Sequence, residues 1–243
     1  MKKIVFPLLF WLVSAPLFAQ LPEIKPVDYA AIEKTIADPL SSYHYPTLLK
    51  RYMAGDTLLD TDEFRHLYFG YTFQDNFSPY GETPQLGLIR KIVEQKEELT
   101  QKDYAEMIRL AKDGLVEKPF SINLLNYLVV GYRKTNDMEN YARWRHNLFG
   151  VIDAILSSGD GKTMATAYHV AEVSDEYTVL NLLDFEFGGE QSLQSSGRDS
   201  YDYLTVKAND AKIEGLYFNI TRVFGSLGKM FDKGSAKKKK KNK

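Results

Sequence analysis

The sequence predicts an α+β fold, in which an N-terminal helical part is followed by a small antiparallel sheet with a short helix. Between residues 29 and 156, apolar residues recur at three- and four-residue spacing, which is typical of amphipathic helices. After the polar segment 157–163, apolar and polar residues mostly alternate, which indicates strands. Helices first and strands later are the order expected of an α+β domain.

The helices are predicted in chain order from their apolar faces. Tyr29, Ile32 and Ile36 lie on one helical face, and the helix that they predict ends at Asp38-Pro39. Apolar residues between Leu48 and Met53 predict a second short helix. After a central helix described below, further helices are predicted over residues 84–98, 101–118, 122–134 and 141–156.

The stretch Arg51–Gln74 is the densest in aromatic and charged residues, and it predicts the central helix of the fold. Asp60 is a suitable N-cap and Glu63 follows three residues later, which matches a capping box. The helix is expected over Thr61–Phe73. Large apolar residues occur nearly all round it, and such a helix is usually buried on every side.

Polar side chains in and beside this helix are the candidate binding residues. Arg65 and His66 need partners in low-dielectric surroundings, and Asp62 lies within one helical turn of both. One interpretation is a polar pocket with Arg65 and His66 at its base. The alternative is a polar network that fixes the packing of an aromatic core. The candidate ligand- or partner-binding residues are Arg51, Tyr52, Asp56, Asp62, Arg65, His66, Tyr68 and Tyr71.

The helices over residues 102–156 resemble tetratricopeptide-type helix pairs. They share a helix that closes on proline, an apolar face with a Gly-Tyr pair, an Asn-Asp turn and a small residue on the returning helix. The match covers about one and a half repeats, whereas a stable array needs about three or more, so we expect packing on the central helix instead. The residues that carry the resemblance are Pro119, Leu128, Gly131, Tyr132, Asn136, Asp137 and Ala142.

Three strands and one short helix are predicted after the boundary segment. Met164–Val173 is predicted as the first strand, and Tyr177–Leu183 as a short helix that the polar residues before it can cap. Tyr201–Ala208 and Ile213–Val223 are predicted to form a hairpin around Asn209-Asp210.

The first 19 residues have the pattern of a secretory signal peptide. Lys2 and Lys3 supply its positive start, and Ile4–Val13 is an apolar run too short to span a bilayer. Cleavage is expected after Ala19, with cleavage after Ala15 as the alternative. The chain contains no cysteine, so it offers no disulfide and no cysteine for a lipid anchor. We expect a soluble protein, periplasmic or secreted, that is not a lipoprotein and has no transmembrane segment in the mature chain.

The expected segments are the signal peptide (1–19), the helical part (20–157), the sheet part (164–231) and a basic tail (232–243), the middle two packed as one body. Seven of the last eleven residues are lysines, a low-complexity composition typical of a disordered arm. The tail either makes peripheral contact with an anionic envelope surface or is a solvated terminus without a partner. Without these seven and the two signal-peptide lysines, 22 basic residues remain against 32 acidic ones, and an acidic exported body argues against nucleic-acid binding.

The sequence lacks the patterns of familiar catalytic and cofactor sites. No two of its four histidines have zinc-ligand spacing, and no HExxH, GxSxG, Gly-rich dinucleotide loop or EF-hand loop occurs. Gly161-Lys162-Thr163 resembles the end of a phosphate-binding loop, but Leu156 stands where the first glycine is required. We therefore expect no cofactor, assign no metal ligand and no catalytic residue, and favour a non-enzymatic protein.

Three groups of segments resemble an uncharacterised family of exported bacterial proteins, a domain of unknown function. They are RYMAGDTLLDTDEFRHLYFGYTFQ with the SPYG loop, LLNYLVVGYRK with WRHNLFGVIDAILSSGDG, and the late SDEY, YDYLTV and IEGLYFNITRVF motifs. The resemblance spans roughly residues 40–225 and implies export and a joined helical and sheet body. It implies no activity.

These patterns together predict an exported protein of unknown function. The favoured interpretation is a non-enzymatic interaction or scaffolding protein of the bacterial envelope, whose partner is a protein or another envelope component. The alternative is a small-ligand-binding protein or a hydrolase with a pocket near Arg65 and His66.

Overall fold

The order of the secondary-structure elements confirms the predicted α+β fold. The structure, a computed structural model, describes residues 22–226; the predicted signal peptide and the basic tail lie outside these residues. The helices of this part of the chain are α1 (Tyr29–Ala37), α2 (Tyr45–Met53), α3 (Thr61–Tyr71), α4 (Pro84–Glu94), α5 (Gln101–Glu117), α6 (Ile122–Lys134), α7 (Met138–Leu156) and α8 (Val173–Leu182), and the strands are β1 (Tyr168–His169), β2 (Phe187–Ser196), β3 (Asp199–Val206) and β4 (Gly215–Asn219).

Helix α3 is surrounded by α1, α2 and α7. It begins with the predicted capping box, because the Asp60 carboxylate accepts from the Glu63 N–H at 2.8 Å and the Glu63 carboxylate accepts from the Asp60 N–H at 2.9 Å. On α7, a Cβ added at Gly150 would lie 2.2 Å from the Phe64 ring. The absence of a side chain at Gly150 therefore lets the two helix backbones approach closely.

The sheet is mixed rather than purely antiparallel, which corrects the prediction. Its strand order is β1-β4-β3-β2. The hairpin of β3 and β4 is present as predicted, but β1 pairs with β4 in parallel, with Tyr168 opposite Phe218. The chain passes through α8, β2 and β3 between these two strands, so their pairing is non-local.

Two predicted strands also differ in their boundaries, and one strand was not predicted. The first predicted strand shortens to β1, because a 3₁₀ turn over Met164–Thr166 precedes it and α8 begins at Val173. The last predicted strand ends as β4, and residues 221–226 are helical. Strand β2 was not predicted, because it is an edge strand exposed over most of its length and its polar sequence shows no alternation.

One cluster of buried apolar residues joins the helices to the sheet. It includes Leu156 of α7, Val179 of α8 and Leu216 of β4. Helix α8 contacts both parts, through a side-chain hydrogen bond to α3 and a ring contact with β2. Among the described helices, none is both long and apolar enough to cross a membrane.

Candidate functional site

Arg65 is buried, and two backbone carbonyls and one side-chain hydroxyl accept hydrogen bonds from it. Its guanidinium donates to the Ser157 hydroxyl at 2.6 Å and to the carbonyls of Lys25 at 2.8 Å and Pro26 at 3.1 Å. The carboxylate of Asp62, the expected partner, pairs instead with the Lys25 ammonium at 3.3 Å. Burial lowers the pKa of Arg65, and the nearby Asp62 charge opposes that shift.

His66 packs on an aromatic ring and lines neither the cavity nor the groove described below. Its ring stacks on Tyr43 with centroids 3.7 Å apart and planes 6° from parallel. Its Nδ1 lies 2.7 Å from the Asp62 carbonyl oxygen, so the expected partner contributes its backbone instead of its carboxylate. Arg51 forms a separate cluster, in which it pairs with Asp56 at 2.7 Å and with Glu63.

The three tyrosines of the predicted site are buried and hydrogen-bonded. The Tyr52 hydroxyl donates to the Pro119 carbonyl at 2.8 Å, and the Tyr71 hydroxyl donates to the Asn76 carbonyl at 3.3 Å. The Tyr68 hydroxyl reaches furthest, because it donates to Asp175 of α8 at 2.6 Å. The eight predicted residues thus lie in separate clusters, and none lines the cavity or the groove described below.

The Tyr68 hydroxyl contacts a cluster of buried carboxyl groups beside the start of α8. The cluster consists of Glu172, Asp175, Glu176 and Asp202. Asp175 accepts from the Tyr68 hydroxyl and, at 3.2 Å, from the Glu172 N–H, while the Ala171 N–H donates to the Tyr68 oxygen at 2.8 Å. Burial raises the pKa of Asp175 well above its ordinary value, and the negative charge of Glu172 adds to the rise. Tyr68 therefore ties α3 to the start of α8 through two buried hydrogen bonds.

Glu176 and Asp202 share one amide donor in this cluster. Gln191 Nε2 lies 2.6 Å from the Asp202 carboxylate and 3.5 Å from Glu176. Burial raises the pKa of Glu176 to about 9, and the charges of Asp202 and Asp175 contribute. Glu176 is therefore protonated at neutral pH, which relieves the repulsion between neighbouring carboxylates.

A cavity of about 380 Å³ opens beside the cluster. Its wall includes the ion pair between Lys118 and Glu172, whose charged atoms lie 3.0 Å apart and whose side chains are 4% and 7% exposed. Lys118 also donates to the Gly81 carbonyl at 2.8 Å. Burial raises the pKa of Glu172, and the Lys118 charge opposes the rise. One carboxylate oxygen of Glu172, Oε1, has no hydrogen-bond partner among the described residues.

A larger groove of about 450 Å³ lies between α4, α5, α6 and α8. Residues at three- and four-residue spacing on α6 and α8 form two facing stripes, so each helix turns one side to the groove. The cavity and the groove share Asn123 and Ser174 in their linings and are therefore adjoining parts of one concave surface. The α6 stripe is Asn123, Asn126, Tyr127, Val130 and Lys134, and the α8 stripe is Ser174, Tyr177, Thr178 and Asn181.

Comparison with known proteins places the chain in a family. The sequence profile of a domain of unknown function, DUF4919, matches residues 30–227. The chain belongs to the DUF4919 family. No curated protein and no solved structure matches the chain.

The residues of this DUF4919 domain that line the concave surface were not among the sequence candidates. Lys118 and Glu172 are far apart in sequence and neither lies in a motif. The α6 stripe is visible in the sequence, because Asn123, Asn126 and Lys134 recur on one helical face beside the apolar face. Within residues 22–226, no group of three or more histidines or carboxylates is placed to hold a metal ion.

Proposed function

We propose that this DUF4919 domain is an exported, non-enzymatic interaction protein of the bacterial envelope, and that its groove holds an extended segment of a partner polypeptide. The single observation that carries the proposal is the pair of facing stripes on α6 and α8, which combine free carboxamide groups with half-buried aromatic rings. Grooves between helices are common places for ligands to bind.

The carboxamides favour a polypeptide as the occupant. The side chains of Asn123, Asn126 and Asn181 make no hydrogen bond with the residues that the structure describes. A carboxamide presents both N–H donors and a carbonyl acceptor. An extended peptide presents alternating N–H and C=O groups that need such partners when they leave water. The two sets of groups are complementary.

The apolar part of the groove suits the side chains of such a segment. Tyr104, Tyr127 and Val130 are each partly exposed along its wall. Tyrosine supplies a large contact area with few rotatable bonds, so it loses little conformational entropy on binding. The exposed rim carries charges of both signs, including Glu94 and Lys134, which supports contact with a polypeptide rather than with a highly charged polymer.

The positions of the carboxyl groups favour binding over hydrolysis. Acid–base catalysis requires a carboxyl group within hydrogen-bond reach of the substrate. Burial raises the pKa values of Asp175, Glu176 and Asp202, and none of them lines the groove or the cavity. Glu172 does line the cavity, but its carboxylate is already paired with the Lys118 ammonium. The burial of the other three supports a structural role.

Peptide binding by the groove can be tested by selecting binders from a random-peptide phage library, with the chain that begins at Gln20 as the target. We expect enriched peptides that bind with a micromolar Kd and shift the backbone amide signals of α6 and α8 in NMR spectra. Asn126→Ala and Tyr127→Ala should weaken the binding about tenfold, which corresponds to the loss of one or two polar or aromatic contacts.

Asn76→Ala is the matched control, because Asn76 is exposed and lies outside the groove; it should leave the affinity unchanged. The proposal is wrong if no peptide is enriched, or if the shifted signals map away from α6 and α8.

The positive start, the apolar run and Ala19 support the proposed export. Expression of the full chain in a bacterial host, followed by cell fractionation and intact-mass measurement, tests it. The envelope or medium fraction should contain a chain that begins at Gln20, or at Pro16 if cleavage follows Ala15. A full-length chain that stays in the cytoplasm would contradict export.

A further inference from the structure

We propose that the cavity beside the groove is a second binding site, for a neutral polyhydroxylated ligand of about the size of one sugar ring. The proposal stands on the Lys118–Glu172 pair and the hydroxyl groups around it, and it does not require a peptide in the groove. At about 380 Å³ the cavity is at the small end of the range of ligand pockets, about 300–1,000 Å³.

The ion pair keeps unused hydrogen-bonding capacity on both partners. The Lys118 ammonium has three N–H groups, and the described residues supply two acceptors, Gly81 O and Glu172 Oε2. Glu172 is 5% exposed, and its Oε1 is covered and lacks a donor. Glu172 lines the cavity, and the broad preferences of a glutamate's terminal torsion allow its carboxylate to turn Oε1 toward a donor there. A buried acceptor without a partner destabilises the fold, and a ligand that donates to it removes that cost.

The charges of the wall select a neutral ligand. A cation attracted to Glu172 meets the ammonium of Lys118 beside it, and an anion attracted to Lys118 meets the carboxylate of Glu172. The exposed Glu82 at the cavity is already paired with Arg90 at 2.7 Å. Because the buried charges cancel within 3.0 Å, the pair offers one donor and one acceptor without net charge.

The other polar groups of the wall match hydroxyl groups. Ser121 is buried at the start of α6, where its side chain caps no backbone group. Ser174 and Asn123 also make no side-chain hydrogen bond with residues 22–226, and each can both donate and accept. A sugar or other polyol carries adjacent hydroxyls that donate and accept in the same way. Pro79, Tyr80 and Leu86 supply the apolar surface that its C–H face needs.

NMR titration of the ¹⁵N-labelled chain from Gln20 with D-glucose and with N-acetyl-D-glucosamine tests the site, with acetamide as a carboxamide probe. We expect saturable shifts at Ser121, Asn123 and Ser174 with a millimolar Kd for at least one sugar, and weaker shifts with acetamide. Glu172→Gln and Ser121→Ala should each weaken sugar binding about tenfold. Ser174→Ala, an exposed substitution that the fold tolerates, should weaken it less.

The outcomes separate this site from the groove. Asn126→Ala, which changes the groove alone, should leave the sugar shifts unchanged whether or not peptides bind there. The proposal is overturned if neither sugar shifts these signals, if acetamide binds and the sugars do not, or if the Ser121→Ala and Ser174→Ala chains bind the sugars as the unchanged chain does. If Glu172→Gln fails to fold, the two serine variants decide the result.

Discussion

Helix α3 and the start of α8 are both buried and rich in polar side chains, but they differ in how those side chains are satisfied. On α3, Arg65 meets three oxygen acceptors and Tyr68 makes two hydrogen bonds. At the start of α8, Glu172 and Glu176 each keep one buried carboxyl oxygen without a partner among the described residues. The second region adjoins the cavity through Glu172, whereas no residue of α3 lines the cavity or the groove.

We infer from this difference that the supply of hydrogen-bond partners, more than chemical type, decides what a buried polar side chain does. A buried polar group whose partners are all within the protein stabilises one packing, and removing it costs free energy. A buried polar group that lacks a partner and lines a cavity is stabilised when a ligand supplies the partner. The four predictions below test this contrast, from the largest expected effect to the smallest.

The largest expected effect is on the pH dependence of stability, through Glu176. Its pKa is 4.5 as a reference value and about 9 in the fold, so between these pH values the folded chain holds a proton that the unfolded chain has released. Stability should therefore fall as pH rises through this window, by up to about 1.4 kcal/mol per pH unit from Glu176, or about 2–4 kcal/mol from pH 5 to pH 8.

Urea unfolding at pH 5, 6, 7 and 8 measures this slope. Glu176→Gln keeps a neutral hydrogen-bond donor and should reduce the fall of stability with pH. Part of the fall should remain, because burial also raises the pKa values of Glu172 and Asp175. An equal slope in the variant would show that Glu176 is ionised in the fold.

Tyr68→Phe is expected to have the next largest effect. It removes the hydroxyl that donates to Asp175 and accepts from the Ala171 N–H, and it leaves both groups buried without that partner. We expect a loss of about 2–3 kcal/mol in the free energy of unfolding. Tyr104→Phe is the matched control, because Tyr104 is partly exposed in the groove; it should change stability by less than about 0.5 kcal/mol. Equal losses of stability in the two variants would show that the hydrogen-bonded Tyr68 hydroxyl contributes no more than the Tyr104 hydroxyl does.

His66→Ala separates a structural role from a binding role on α3. It removes the stack on Tyr43 and the contact with the Asp62 carbonyl, so we expect a loss of about 1–2 kcal/mol. His44→Ala is a suitable control, since His44 makes only an exposed contact with Thr47. If His66→Ala instead left the melting temperature unchanged but abolished binding of the selected peptides, a pocket near Arg65 and His66 would be supported.

Asn126→Ala should have the smallest effect on stability. Its side chain makes no hydrogen bond with the described residues and lies in the groove, so the free energy of unfolding should change by less than about 0.5 kcal/mol. Thermal unfolding followed by circular dichroism provides the measurement. A loss above about 1 kcal/mol would show that this carboxamide has a structural partner and is not available to a ligand.

Features that depend on neighbouring residues were predictable from the sequence. The capping box of α3 needs only Asp60 and Glu63, and the hairpin of β3 and β4 needs only two alternating runs and a turn. Strand β2 escaped prediction because an exposed edge strand imposes no alternation on its sequence. The parallel pairing of β1 was not predicted, because α8, β2 and β3 separate β1 from its partner β4 along the chain.

The candidate site was less predictable than the fold, since it depends on contacts between distant residues. Lys118 and Glu172 are 54 residues apart, and each alone is an ordinary surface residue type. Arg65 and His66 stood out because their chemistry is distinctive, but the acceptors that satisfy Arg65 come from both ends of the helical part, before α1 and after α7. A sequence can indicate which side chains are able to act, whereas the fold decides which of them lack a partner.

The dependence of α3 on distant partners has a consequence for how the chain is made. During synthesis α3 emerges well before the groups that complete it, because Ser157 follows Arg65 by 92 residues and Asp175 follows Tyr68 by 107. Until they arrive, Phe64, Tyr68 and the rings beside them are exposed to water, and exposed apolar surface of this kind promotes aggregation. A nascent chain that stalls before α7 should therefore bind general chaperones, which would shield α3 until α7 covers it.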